Sequence, residues 1–272
     1  MPKGSLVIVG TGIQLIRHTT IEARMFIKQA DKVLFLVVDR VTEKWIKSLN
    51  KNSENLFDCY VEGKPRNHAY NRMVQRTLKY VRQGLSVCVV YYGHPGIFDN
   101  PSHESIKLAR KEGYYARMMP GISAEDCLFA DLGVDPGNYG CQSFEATDFL
   151  IRRRKFDSSS SLVLWQIGVI GEFTFKRNGY TNDGIGILTE VLEKYYEGDH
   201  QVIIYEASQY PIFDPSIQKM PLRNLPLGII TPISTLFVPP RETSTLDSRM
   251  LNRLKVAARQ NKNPVRRLTR LK

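Results

Sequence analysis

Residues 85–98 read LSVCVVYYGHPGIF, an apolar, β-branched run that passes directly into a loop rich in glycine and proline. The run Leu85–Tyr91 predicts a buried strand. A shorter version follows, in which Tyr115–Met119 predicts a strand and Pro120-Gly121-Ile122-Ser123-Ala124 forms the loop after it. Either loop alone is also typical of an ordinary βα turn. Two such loops at strand ends favour a crevice for a small molecule at the edge of an open α/β sheet.

Predicted strands and helices alternate through the first half of the chain, as in a mostly parallel sheet covered by helices. The longest helical periodicity runs from Asn67 to Gln83 and stops at Gly84. After Pro120 the predicted strands are farther apart, with longer loops such as Phe175–Gly186 between them. These later strands are 161–166, 201–206 and 234–238, and antiparallel pairs are expected among them.

We therefore predict the α/β class with two domains. Residues 1–120 form an N-terminal α/β domain that carries the crevice loops, and residues 121–240 form a C-terminal α/β domain. Residues 241–272 form a basic tail, helical in part, in which Leu246–Ala258 predicts an amphipathic helix.

The composition excludes several classes of protein. With 42% hydrophobic residues among 272, the chain can bury a sizeable core. No apolar run reaches the ~18 residues of a membrane helix, and the N-terminus does not resemble a secretory signal. The four cysteines are scattered without a C-x-x-C spacing, which suits a reducing, cytoplasmic environment. The five histidines form no H-E-x-x-H, so no metal site is expected.

The net charge of +11 is concentrated at one end of the chain. Residues 249–272 contain nine Lys and Arg and no acidic residue, which leaves only +2 of that +11 for residues 1–248. The composition of the tail has two interpretations. It is typical of a solvated terminus, and it is also typical of a segment that docks on an acidic partner or contacts RNA. Since the rest of the chain is nearly neutral, nucleic acid is not the expected main partner.

The motifs near the predicted strand ends reduce the number of ligand classes that the crevice could bind. Gly10-Thr11-Gly12 follows a strand, but Leu15 stands where a dinucleotide fingerprint has its third glycine. The sequence contains no P-loop and no serine-hydrolase motif. The crevice loops lack a cluster of Lys and Arg for a triphosphate. A nucleoside-like ligand without phosphates, such as S-adenosyl-L-methionine, fits best.

Several separated segments occur in the chain in a fixed order: VIVGTG at 7–12, YGHPGIF at 92–98, PGISAED at 120–126, FEATDF at 144–149, Gln166, YEA at 205–207 and PIST at 232–235. In these segments and their order the chain resembles the tetrapyrrole methylase superfamily, over about residues 4–240. Within that superfamily it looks most like the borosin peptide-backbone α-N-methyltransferases. His94 stands where other branches usually have the Asp of Gly-Asp-Pro, which argues against methylation of a porphyrin precursor.

The resemblance implies the two-domain class III methyltransferase fold, with S-adenosyl-L-methionine between the domains and S-adenosyl-L-homocysteine as product. The residues that would line the cofactor are Tyr92, His94, Ile97 and Phe98 from the first domain, and Ser123, Ala124, Gln166, Ala207, Ser234 and Thr235 from the second. Without the resemblance, the residues indicate only the loop after Tyr91 and the loop after Met119.

The resemblance also implies the acceptor. Fused members of the family carry their substrate as a C-terminal extension with an apolar core, and the residues after Pro240 contain no such core. We therefore expect the split type, in which a discrete precursor peptide is methylated in trans. A homodimer, and a heterotetramer with the peptide, are implied in the same way.

Methylation of a backbone amide nitrogen needs a base and a partner for the imidate oxygen, because the nitrogen lone pair is delocalised into the carbonyl. Arg66 and Tyr70 share one helix face at a spacing of i, i+4, with Tyr60 just upstream. By themselves these residues are more typical of a surface cation at a helix start and of a half-buried aromatic packed under a loop than of a catalytic pair. The family's catalytic residues, however, fall on Tyr60, Arg66 and Tyr70, while Phe57 lacks the hydroxyl found in many members.

Our hypothesis assigns Tyr70 as the base, directly or through a water, Arg66 to the imidate oxygen and Tyr60 to positioning of the amide. We expect the neighbouring arginine to lower the pKa of Tyr70. The rival interpretations are a methylase of the same fold that acts on a tetrapyrrole, a translation factor or ribosomal RNA, and a non-catalytic binding module.

Overall fold

The computed structural model describes residues 3–14, 16–37 and 39–255. In this part of the chain, ten strands form two sheets of five strands each. The strands of the first sheet are β1 (Ser5–Gly10), β2 (Lys32–Leu36), β3 (Ser53–Asn55), β4 (Ser86–Tyr91) and β5 (Tyr115–Met118). Those of the second are β6 (Cys141–Glu145), β7 (Ser161–Trp165), β8 (Gln201–Glu206), β9 (Ser216–Pro221) and β10 (Thr235–Val238).

The first sheet is parallel throughout, in the order β3-β2-β4-β1-β5. Its helices are α1 (Ile21–Gln29), α2 (Arg40–Leu49), α3 (Arg66–Arg82) and α4 (Asn100–Lys111). Alternate residues of β1 point to opposite faces: Leu6 and Ile8 pack with α3 and α4, whereas Val7 and Val9 pack with α1 and α2. Because helices cover both faces, the central strands are continuous apolar runs, which is the pattern seen in the sequence. This unit is called the first lobe below.

The long periodic helix is confirmed almost to its limits. It begins at Arg66 and ends at Arg82, one residue earlier at each end than the pattern indicates. Ala69, Met73, Val74, Leu78 and Val81, which define the apolar stripe, are all buried.

The second sheet has the order β6-β7-β10-β8-β9. Its β6 and β7 are parallel, and the other pairs are antiparallel, as expected. The helices of this part of the chain are α5 (Ala124–Leu132), α6 (Pro136–Tyr139), α7 (Ala146–Ile151) and α8 (Gly184–Leu192), and α5, α7 and α8 pack with the sheet. The second lobe consists of these elements together with the sheet. The predicted limits of the two domains and the tail remain predictions.

Several local expectations need correction. The predicted loop Phe175–Gly186 is too long, because α8 begins at Gly184. Strands β6 and β9 were not predicted, since both are edge strands whose residues are mostly only partly buried. The predicted tail helix is shorter: α9 covers Ser248–Arg253. Val38 and residues 256–272 lie outside the described residues.

The loops after β1, β4 and β5 meet at the carboxyl edge of the first sheet. Gly12 and Gly93 exchange backbone hydrogen bonds of 3.2 and 3.1 Å. Gly10 lies so close that a Cβ placed there would be 2.0 Å from the Gly93 carbonyl oxygen, and one at Gly121 would be 3.1 Å from the same oxygen. The two loops that define the fold in the sequence are therefore neighbours, and β1 adds a third.

None of the helices in the described ranges has the length and apolarity needed to cross a membrane.

We expect Gly10→Ala to lower the free energy of unfolding by about 1–3 kcal/mol, the range for forcing extra atoms into a packed interior. Gly186→Ala is the matched control, because a Cβ there meets nothing within 4 Å and the residue lies inside a helix. The control should be neutral or slightly stabilising. Urea denaturation of the three proteins measures this, and equal midpoints for Gly10→Ala and wild type would contradict the close approach.

Candidate functional site

A cavity of about 190 Å³ lies between the two lobes. It brings together Arg66 and Tyr70, which begin α3, and Gln166, which follows β7. The full lining is Pro65, Arg66, Asn67 and Tyr70 from the first lobe, and Glu145, Thr147, Gln166, Val169, Glu172 and Phe173 from the second.

Tyr60 lies beside this cavity in an aromatic group. Its ring packs edge-on against Tyr70 with centroids 6.4 Å apart and stacks on Phe175 at 4.8 Å. Phe57 packs against both Tyr60 and Phe175, at 5.8 and 5.9 Å. The structure thus brings all three predicted catalytic residues together, and Phe57 supplies only apolar surface.

The expected lowering of the Tyr70 pKa is wrong. Burial raises the pKa of Tyr70, because the phenolate loses its hydration, and this outweighs the opposite influence of Arg66. The negative charge of Asp99 acts in the same direction as burial. Burial likewise raises the pKa of Tyr60. At neutral pH both tyrosines therefore carry their protons.

Arg66 is held without a carboxylate. Its Cζ lies 5.1 Å from the centre of the Tyr180 ring, and its backbone N–H donates to the Phe173 carbonyl at 2.9 Å. Among the residues that the structure describes, Arg66 forms no salt bridge. The two acidic residues of the cavity are engaged elsewhere: Glu172 pairs with Lys176 at 2.6 Å, and Glu145 accepts from the Asp148 N–H at 2.6 Å. The guanidinium N–H groups are thus available to an oxyanion.

The loop after β4 extends from the first lobe to the second. Phe98 adopts a left-handed backbone conformation, with φ of 52°, and its ring lies 5.8 Å from that of Trp165. The ring and Ile97 are partly exposed, and His94 Nδ1 accepts from the Gly96 N–H at 2.9 Å. Tyr92, at the start of the loop, is half-buried, and burial raises its pKa.

In the second lobe, the expected cofactor residues surround the end of β7. Ser123 caps α5 through its side chain, so it has a structural role, and Ala124 follows it. Ala124 and Ala207 border a cluster around Trp165 and Tyr205.

Gln166, the residue after β7, connects this region to the cavity. It is left-handed, with φ of 58°, and the next residue, Ile167, donates its N–H to the Ser234 carbonyl at 3.1 Å. Ser234 and Thr235 are buried, and the Ser234 hydroxyl donates to Glu206. Because Trp165 contacts Phe98 and Gln166 lines the cavity, the crevice loops and the cavity meet at the end of one strand.

The lining fits a nucleoside without phosphates. The glycines of the crevice loops carry no side chains, and the exposed Phe98 ring supplies aromatic surface. The loops after β4 and β5 contain no Lys or Arg, and the one such residue in the loop after β1, Arg17, is exposed. Nor do the described residues include a group of three or more His, Cys, Asp or Glu placed to hold a metal ion.

The sequence pattern did not predict several residues that line the cavity, nor Tyr180 beside Arg66. Glu145 and Thr147 belong to the segment FEATDF, whose likeness to the family was visible, although no role followed from it. Glu172, Phe173 and Tyr180 lie in a segment without periodicity, and no signal in the sequence pointed to them.

Comparison with known proteins agrees with this geometry. Residues 5–210 match the family Tetrapyrrole (Corrin/Porphyrin) Methylases. Uroporphyrin-III-C-methyltransferase from Thermus thermophilus, a solved structure, shares the fold with a TM-score of 0.61 at 19% identity, over 88% of this chain and 93% of that one.

Curated relatives are closer in sequence. The chain is 45% identical to the methyltransferase/ribosomally synthesized cyclic peptide gymnopeptides precursor of Gymnopus fusipes, covering 94% of this chain and 62% of the relative. It is 42% identical to a methyltransferase/type I borosin cyclic peptide precursor of Coprinopsis marcescibilis, covering 94% and 68%. The chain spans about three fifths of the length of most relatives it matches. It belongs to the tetrapyrrole (corrin/porphyrin) methylases and, within them, to the borosin-type methyltransferases.

Proposed function

We propose that this chain transfers a methyl group from S-adenosyl-L-methionine to backbone amide nitrogens of a ribosomally made precursor peptide, supplied as a separate molecule. The observation that carries the proposal is the Arg66 guanidinium, free of carboxylates, one helical turn from the Tyr70 hydroxyl in a cavity between the lobes. The names of the relatives, which combine a methyltransferase with a peptide precursor, support the choice of acceptor.

The crevice loops and the end of β7 are assigned to the cofactor. In this proposal Tyr92, His94, Ile97 and Phe98 line it from the first lobe. The second-lobe set is the one expected from the resemblance: Ser123, Ala124, Gln166, Ala207, Ser234 and Thr235. When bound there, the cofactor would supply an electrophilic methyl group beside the cavity, because Trp165 contacts Phe98 of the crevice loop and the next residue, Gln166, lines the cavity.

The acceptor amide is assigned to the cavity itself. Arg66 donates hydrogen bonds to the amide oxygen and stabilises the negative charge that develops there as the nitrogen loses its proton. Tyr70 first gives its hydroxyl proton to solvent and then, as the phenolate, accepts the amide proton, directly or through a water. Tyr60 orients the amide. Phe173 and Asn67 line the same cavity and are exposed, so an extended peptide can enter from solvent.

The function is tested by mixing the purified enzyme with peptides encoded beside its gene and with isotope-labelled S-adenosyl-L-methionine. We expect methyl-sized mass increments that tandem mass spectrometry places on backbone nitrogens. Arg66→Ala supplies the negative control. Unchanged peptides beside an enzyme that still binds the cofactor would contradict the proposal, and transfer of label to RNA or to a tetrapyrrole would identify the rival function.

Arg66→Ala should lower kcat by about 100- to 1000-fold, the usual effect of removing one oxyanion donor. Cofactor affinity, measured by calorimetry, should not change, because Arg66 faces the acceptor. Arg82→Ala is the matched control on the same helix, since Arg82 ends α3 and pairs with the exposed Glu112. An Arg66→Ala enzyme with normal kcat would remove Arg66 from the mechanism.

The rate should depend on pH through Tyr70. Since its folded pKa lies above the usual value of about 10, the deprotonated fraction grows up to tenfold per pH unit. We therefore expect kcat/KM to rise from pH 7 to pH 10 without a plateau. Tyr70→Phe should abolish most activity together with this rise. Tyr80→Phe, on the same helix and bonded to Glu54, should retain both. A Tyr70→Phe enzyme with a near-normal rate would exclude Tyr70 as the base.

A further inference from the structure

A segment of the second lobe crosses to the first lobe beside the cavity. We call residues 171–183, between the turn Ile167–Val169 and α8, the strap. Three backbone hydrogen bonds of 2.9 Å connect the strap to residues 63–66. The Phe175 N–H donates to the Lys64 carbonyl, the Gly63 N–H to the Phe175 carbonyl, and the Arg66 N–H to the Phe173 carbonyl. The Arg177 N–H donates to Glu62 at 2.9 Å. The strap is therefore paired with the backbone just before α3.

The pairing places strap side chains directly on the proposed catalytic residues. Phe175 stacks on Tyr60 at 4.8 Å, and Tyr180 lies under the Arg66 guanidinium at 5.1 Å. Both contacts join residues more than 100 positions apart in the chain. The second lobe thus supports two residues that the first lobe provides.

The Tyr180 ring is itself held at several points. Its hydroxyl accepts from the Lys176 N–H at 3.2 Å and donates to the Thr174 carbonyl at 3.3 Å. The Lys176 ammonium lies 5.9 Å from the ring centre, and Glu172 neutralises it at 2.6 Å. The ring is fixed before any substrate binds, and Arg66 is the unneutralised cation next to it.

We propose that Tyr180 is a positioning residue that holds the Arg66 guanidinium toward the acceptor site while leaving its N–H groups unused. An arginine side chain has many rotamers, and a carboxylate that fixed it would also consume its donors and its charge. The face of an aromatic ring attracts the cation without accepting those N–H bonds. This arrangement suits an oxyanion partner, because the donors stay free for the charge that develops in the reaction.

The role of Arg66 toward the imidate oxygen rests on the proposed function, but its placement by Tyr180 does not. Two readouts separate them. The first is kcat for peptide methylation, and the second is the NMR signal of the Arg66 Nε–H group in labelled protein without substrate. That signal is assigned by its loss in Arg66→Lys. A ring beneath the guanidinium shifts the signal, and removal of the ring should move it toward the values of free arginine.

Tyr180→Leu should lower kcat by about 3- to 30-fold, the range expected for one cation–π contact, with unchanged cofactor affinity. Tyr180→Phe keeps the ring and should retain most of kcat. Tyr115→Leu, the same substitution at an exposed tyrosine of β5, is the control and should match wild type. In an Arg66→Lys background, Tyr180→Leu should have a much smaller effect, because both changes act through one contact.

A series of ring-fluorinated phenylalanines at position 180 covers the case in which Tyr180→Leu does not fold. Fluorination weakens the negative face of the ring with little change in shape. We expect kcat to fall, and the Arg66 signal to move, stepwise with the number of fluorines.

Three outcomes would overturn the proposal: an unchanged Arg66 signal in Tyr180→Leu, equal losses of kcat in Tyr180→Phe and Tyr180→Leu, or a fluorine series without a trend. A wild-type protein that methylates no peptide, but whose Arg66 signal responds to Tyr180→Leu, would refute the proposed function and support the placement of Arg66 by Tyr180.

Discussion

The contact between the Gly10 backbone and the Gly93 carbonyl is the constraint on which the crevice depends. It lets the loops after β1 and β4 come close enough for Gly12 and Gly93 to hydrogen-bond, and Gly121 brings the loop after β5 against the same oxygen. A side chain at Gly10 would separate these loops, because the atom it would meet is backbone and not a side chain that can turn away. With the loops fixed in this way, Phe98 reaches Trp165 of the second lobe.

The site belongs to neither lobe alone. The first lobe provides Arg66, Tyr70 and Tyr60, and the second closes the cavity with the end of β7 and the strap. Backbone hydrogen bonds between the strap and residues 63–66 connect the lobes next to the proposed acceptor site. Since these bonds involve main-chain atoms, many side-chain replacements in the strap would leave the pairing intact while changing what the cavity accepts.

Burial and the charge of Arg66 have opposite effects on the pKa of Tyr70. The same surroundings act differently on Arg66 itself. Desolvation dominates at Tyr70 and keeps its hydroxyl protonated, so the base is not formed in advance. Arginine, in contrast, remains a cation in proteins. The permanent cation therefore carries the electrostatic part of the proposed chemistry, and Tyr180 supports it through a ring face.

The sequence by itself determined the elements that need only local information. The buried run of β4, the apolar stripe of α3 and the glycine loops follow from periodicity and backbone freedom, and the structure reproduces them. The sequence pattern did not predict the edge strands β6 and β9 or the pairing of the strap, because partly exposed segments carry no strong apolar pattern. Only the tertiary structure decided that Tyr180 lies under Arg66 and that Tyr70 has a raised pKa. Both depend on contacts and burial created when distant parts of the chain pack together, and no window of neighbouring residues records them.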